Sequence, residues 1–384
     1  MTETHQRNQP STLIKASPKS LHPLTGTKFS SWRKVVNRYG NQIPLRNWTR
    51  LFLLNGNSFV GSPIRWSESA WYRSRIKKLE PLSPILIFGH WRSGTTNFHN
   101  HMLQDPSYAD ISLLQCLIPS AYQCLNGFSR WVLKKRLPET RPMDAVPTGV
   151  DEPMSEDFAL CNLTEFTHYH RYFFPASNEE IFRRTILFED LSEEEIAQWH
   201  KTYDWLLRKV TVTSGGKRLV LKNPPNTGRL KHLVKYYPDA KFIHVYRNPY
   251  QVIASTIKLM TKFLKMFSFQ DYDEATIEEN VLKDYARLMQ QYFKTEHLLP
   301  KENFIQIRHE DVVADGIGTF RRVYDELKLP DWEHAEPRLR KYVDSISDYQ
   351  TNHYQFDDDF IERVNQHCQF AIDRWGYSVP NSAS

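Results

Sequence analysis

Pro84-Ile85-Leu86-Ile87-Phe88-Gly89-His90-Trp91-Arg92-Ser93-Gly94-Thr95-Thr96 is the stretch on which the reading of this chain turns. Residues 84–88 form an apolar run of strand length, a loop bounded by Gly89 and Gly94 follows, and the residues after it suit a helix. The G-x-x-x-x-G spacing is that of a phosphate-cradling loop. In such a loop successive backbone N–H groups surround an anionic oxygen, and the positive end of the next helix supports it. The lysine that usually follows the second glycine is absent. Thr95 and Thr96 stand there instead, and Arg92 supplies the cation.

Two further strand ends carry cations. Residues 241–246 read as a buried strand that ends at Arg247. Asn248 can cap a helix whose first position is Pro249, which places Ser255 in its second turn, facing the same crevice. Residues 219–221 form a short strand that ends in Lys222, and a helix follows with Leu230, Leu233, Val234 and Tyr237 along one face. Ligands of open α/β sheets bind at the carboxyl ends of the strands. Arg92, Lys222 and Arg247 are therefore expected to meet at one anionic ligand.

With these motifs together the chain resembles the sulfotransferases that use 3′-phosphoadenosine 5′-phosphosulfate (PAPS), and within them the bacterial-type group, over roughly residues 80–378. Tyrosylprotein and carbohydrate sulfotransferases are more distantly similar. Residues 308–315 and 373–377 add to the likeness, since they resemble the segment after the family's last core strand and its usual C-terminal end. The resemblance implies an α/β fold: three α/β/α layers around a central parallel sheet, P-loop NTPase-like in its topology. It implies that Ser93, Gly94, Thr95 and Thr96 cradle the 5′-phosphosulfate, that Arg92, Arg247 and Ser255 bind the 3′-phosphate, and that Lys222 serves the sulfuryl group in flight. The catalytic histidine that cytosolic members carry two residues after this lysine is missing, because that position is Pro224. Two residues are candidates for the general base, His99 first and Glu156 second. His99 lies three residues past Thr96, where the group often has a histidine; the plainer alternative is a packed helix residue. Glu156 sits in the acidic segment 151–157; the plainer alternative is a solvated loop or a carboxylate at a helix N-terminus. His168 and His170 would share one side of a strand, but without a third ligand they read as part of an aromatic-rich surface, so no metal is expected. The basic residues of 130–141 read as a solvated face.

Composition sets the frame. The chain has 384 residues, 40% of them hydrophobic, enough for a large core. Its net charge of +6, from 50 basic against 44 acidic residues, suits an anionic donor without indicating nucleic acid. Cys116, Cys124, Cys161 and Cys368 form no C-x-x-C pair. No apolar run approaches the ~20 residues of a membrane span. A cytoplasmic enzyme is expected, with a small-molecule, lipid or carbohydrate acceptor and assembly as a homodimer. Residues 1–28 read as a disordered tail and 29–378 as one domain, with a helical, aromatic insert at about 106–215 lying over the carboxyl edge of the sheet. The aromatics of 108–174 lean toward an apolar or ring-bearing acceptor. A capping box at Ser192–Glu195 starts a helix that buries Ile196, Trp199, Tyr203, Leu206, Leu207 and Val210. Further expectations are a helix at 274–298, a strand at 303–307 and a last helix that stops at Gly376. Two other functions fit the loop. A P-loop nucleotide kinase or NTPase would want lysine at position 95 and a strand-end Asp for Mg²⁺. A non-catalytic nucleotide-binding adaptor would explain the missing histidine but not the intact cations.

Overall fold

The computed structural model describes residues 13–14, 22–80, 82–137, 149–346 and 354–381. In chain order its strands are β1 (Leu13–Ile14), β2 (Ile85–Phe88), β3 (Tyr108–Ala109), β4 (Arg218–Lys222), β5 (Lys241–Tyr246), β6 (Tyr272–Asp273) and β7 (Phe304–Arg308). β3, β4, β2, β5 and β7 lie side by side in that order as an all-parallel sheet. The opening motif forms the middle strand, and all four of its side chains are buried. A parallel sheet covered on both faces requires such continuous apolar strands. Successive residues separate onto the two faces as the pleat dictates. Leu86 and Phe88 join one core cluster, whereas Ile85 and Ile87 join the other with Ile243, Val245, Ile305 and Ile307. Helices cover both faces, giving the expected α/β/α layers.

Local signals set the helix ends. Ser192 and Glu195 close the expected capping box, and the helix Glu193–Thr213 buries the face read from its spacing. The helix Asp358–Trp375 ends where Gly376 turns left-handed at φ 66°. The helix expected at 274–298 is Ala275–Thr295.

Three expectations need correction. The N-terminal tail does not run to residue 28: His22, Leu24, Gly26 and Thr27 are buried, and β1 pairs antiparallel with β6. Pro23 and Leu24 supply the apolar area that a polar reading of this segment overlooked. The insert does not only lie over the sheet, since β3 within it forms the edge strand beside β4. His168 and His170 are neither on a strand nor at a surface. Both are buried, His170 opening the short helix His170–Phe173. Most insert aromatics, among them Tyr122, Tyr172, Phe173 and Phe174, are core residues, while Phe128 and Trp131 stay exposed. Of the basic run 130–141, residues 138–141 lie outside the described residues.

Candidate active site

The order β4-β2-β5 sets three cationic strand ends side by side, at the ~4.8 Å spacing of neighbouring strands. After β2 the backbone turns sharply. Gly89 has φ 143°, and a Cβ there would lie 2.1 Å from the Val245 carbonyl oxygen. Only glycine fits this approach. Arg92 adopts φ 69°, a left-handed conformation that costs a non-glycine residue about 1–2 kcal/mol. Such strain marks functional loops. Here it turns the guanidinium across the crevice, and Arg92 Nε donates to Ser255 Oγ at 2.8 Å. Ser93 Oγ donates to the His90 carbonyl at 2.8 Å, and Gly89 N–H donates to Thr227 Oγ1 at 2.9 Å, tying the loop to the turn after β4. Gly94 (φ 95°) opens the helix Thr95–Met102.

β5 delivers Arg247 as expected. Asn248 caps the helix Pro249–Phe267 by accepting Tyr250 N–H at 3.0 Å, which carries Ser255 to Arg92. Burial lowers the Arg247 pKa, and the neighbouring Arg92 lowers it further. Two cations within coulombic range of each other can hold a multivalent anion. Sequence reasoning missed the cover over this site. A Cβ on Gly94 would lie 2.2 Å from His309 Nδ1, so the imidazole packs on the loop itself. Burial, aided by Arg247, holds His309 near pKa 4 and therefore neutral. Beside it Glu310 accepts from Tyr377 Oη at 2.9 Å.

Lys222 ends β4, and the insert meets it there. Glu156 opens the helix Glu156–Leu160 and is fully buried. Its Oε1 accepts from Tyr203 Oη at 2.9 Å and from Asn226 Nδ2 at 3.0 Å, while Oε2 has no hydrogen-bond partner among the described residues. Burial raises its pKa to about 7. His99 is also fully buried, but its Nε2–H is committed to the Val220 carbonyl at 2.9 Å. Burial, then Lys222, hold it near pKa 3.

Next to Glu156 lies a network that sequence reasoning also missed. Asp157 accepts from Arg229 Nη1 at 2.6 Å, His168 Nδ1 at 2.7 Å and Asn223 Nδ2 at 3.1 Å. Although burial opposes ionisation, Arg229 and His168 hold this carboxyl well below the usual range. Ser155 Oγ donates to Asn223 Oδ1 at 2.9 Å, so the residue after Lys222 is gripped from both sides. The available signal was the polar set Asn223 and Asn226 directly after Lys222, facing an adjacent Glu-Asp pair.

The raised pKa of Glu156 has a thermodynamic consequence. The folded protein holds this proton more tightly than the unfolded chain, whose value is 4.5. The penalty for the charged form is therefore absent below about pH 4.5 and complete above about pH 7, where it reaches about 3 kcal/mol. Glu156→Gln keeps an oxygen for Tyr203 and Asn226 and cannot ionise. Its stability relative to wild type should rise between these pH values. Urea melts of both proteins at the two ends of the window check this, and an unchanged difference would contradict it.

Comparison with known proteins places the chain in a family. A model of the sulfotransferase family matches residues 84–334, a span holding the loop, Lys222, Arg247 and Ser255. The chain belongs to the sulfotransferase family. This sulfotransferase is 29% identical over 353 residues to the omega-hydroxy-beta-dihydromenaquinone-9 sulfotransferases Stf3 of Mycobacterium bovis and Mycobacterium tuberculosis, covering 92% of this chain and 90% of each relative. Its fold is similar to that of sulfotransferase STF9 from Mycobacterium avium, with a TM-score of 0.64, 16% identity and coverage of 94% of this chain and 98% of that one. It is also similar to STF1 from Mycobacterium tuberculosis, with a TM-score of 0.63, 17% identity and coverage of 89% and 93%. No described helix is long and apolar enough to cross a membrane.

Proposed function

We propose that this sulfotransferase moves the sulfuryl group of PAPS to a hydroxyl of a lipid-like acceptor. The Arg92–Ser255 contact carries the donor assignment, because it joins the phosphate loop to the Arg247 strand end. A donor with phosphate groups at both ends of its ribose spans such a pair of sites. The N–H groups of Ser93 to Thr96, with the hydroxyls of Thr95 and Thr96, hold the 5′-phosphate. Arg92, Arg247 and Ser255 hold the 3′-phosphate. The acceptor oxygen attacks sulfur in line, the new S–O bond forms as the bond to the bridging oxygen breaks, and adenosine 3′,5′-bisphosphate leaves with that electron pair. Lys222 stabilises the charge growing on the bridging oxygen. Glu156 Oε2 takes the acceptor proton; a carboxylate of pKa about 7 matches that task near neutral pH. His99, with its N–H committed and its pKa near 3, supports the helix behind Lys222. The lipid-like acceptor is supported by the Stf3 relatives, whose name specifies a dihydromenaquinone substrate.

The donor assignment is tested by ligand-induced stabilisation. Adenosine 3′,5′-bisphosphate at about 100 times its Kd should add about 2.7 kcal/mol, and ATP with Mg²⁺ much less. Arg247→Ala should weaken bisphosphate binding by about 1.5–3 kcal/mol, and Ser255→Ala by less. Equal response to both nucleotides, or unchanged affinity in both variants, would remove the 3′-phosphate assignment.

A further inference from the structure

We propose that the helices Trp48–Val60 and Ser62–Lys77, with the adjoining helix Asn126–Arg136, dock this enzyme onto an anionic membrane surface. The first helix divides cleanly. Leu51, Leu54 and Ser58 face inward, while Phe52, Leu53 and Phe59 project into solvent, Phe52 with 76% of its surface exposed. The second buries only a narrow stripe through Glu68 and Ile76, leaving Trp66 at 77% and Trp71 at 68% exposure. Glu68 accepts the N–H groups of Gln123 and Cys124, which brings the third helix alongside with its exposed Phe128 and Trp131. Large aromatics this exposed on neighbouring helices are not a normal monomer surface and mark an interaction site.

Charge selects the occupant. From Leu45 to Leu79 the sequence holds a single acidic residue, Glu68, and it is buried against Lys209. Arg73, Arg75 and Lys77 are exposed on the same helix and Lys78 just after it, and Lys134 and Lys135 are exposed on the neighbouring one. The cations stand among the rings: Lys135 Nζ lies 4.2 Å from the Trp131 ring centroid, and Arg75 is 5.9 Å from that of Trp71. Exposed Trp, Phe and Leu with flanking Lys and Arg compose a helix that lies in the headgroup region of a bilayer. A second copy suits the face less well, because a two-fold interface would set these basic helices against each other. The face connects to the catalytic end by a chain of contacts: Ser58 Oγ donates to the Thr27 carbonyl, Gly26 packs on Leu117, and in the same helix Leu113–Leu117 Cys116 Sγ donates to the Ser155 carbonyl beside Glu156. Docking here would leave the insert nearest the source of a lipid-like acceptor. The surface goes beyond the proposed reaction, and its test reads no turnover.

The test is flotation of the full chain with phosphatidylcholine vesicles, with and without about one-third phosphatidylglycerol. Wild type should bind the anionic vesicles at least about tenfold more tightly, with high salt weakening the interaction. Phe52→Glu and Trp66→Glu should each reduce binding about tenfold or more, and the pair Arg73→Glu with Lys77→Glu similarly. Val313→Glu, at an exposed site on another helix, should not, and thermal melting should confirm that every variant folds. Failure to bind anionic vesicles would overturn the proposal. So would variants that bind vesicles normally but lose self-association or oligonucleotide binding. Bisphosphate affinity should be unchanged in all of them, which separates failure here from failure of the donor assignment.

Discussion

Glu156→Gln is expected to lower kcat by about 10²–10⁴-fold while leaving the affinity for adenosine 3′,5′-bisphosphate within a few-fold of wild type. Among the described residues Glu156 Oε2 has no partner, whereas Oε1 is fixed by Tyr203 and Asn226. The carboxylate is therefore oriented by one oxygen and can take a proton with the other. Steady-state kinetics with PAPS and a primary-alcohol amphiphile give the measurement. The rate should fall as pH drops through the pKa of about 7, and the variant should lose that acid limb. His99→Gln provides the contrast. With its N–H held by Val220 and its pKa near 3, it should cost only a few-fold. A hundredfold loss in His99→Gln with near-normal Glu156→Gln would reverse the roles.

Lys222→Ala is expected to reduce kcat by about 10²–10³-fold, with a much smaller effect on bisphosphate binding. The charge on the bridging oxygen develops only as the S–O bond breaks, so Lys222 acts mainly in the transition state. Its position is fixed by the sheet: Lys222 lies in register with Ile87 of the central strand, and Asn223 N–H donates to the Ile87 carbonyl at 3.0 Å. Calorimetric titration beside the kinetics separates the two effects. A Kd that rises as much as kcat falls would make Lys222 a ground-state ligand.

The sheet and its cationic ends were legible because each is announced locally. An apolar run, a glycine pair, a cap with proline behind it and a strand-end lysine each lie within about ten consecutive residues. The rest of the site is tertiary. Nothing near Arg229 in the sequence says that it will be fully buried against Asp157, 72 residues earlier. His309 packs on Gly94 only because β7 lies next to β5. The reading of His168 and His170 failed for a related reason. Alternation by two looks strand-like in isolation, but here one ring answers Asp157 while the other opens a helix. The N-terminal segment escapes a reading from composition because a few apolar residues, Pro23 and Leu24 among them, are buried within an otherwise polar stretch.

The Asp157–Arg229 pair also fixes where this enzyme can be cut and rejoined. Arg229 follows the Lys222 strand and Asp157 lies in the insert, yet both are fully buried and each neutralises the other. A chimaera that imports residues 118–150 from a relative and keeps Ser155-Glu156-Asp157 inherits an intact junction. One that crosses at 155–157 strands a buried guanidinium, a defect of about 3–5 kcal/mol that few domains can absorb.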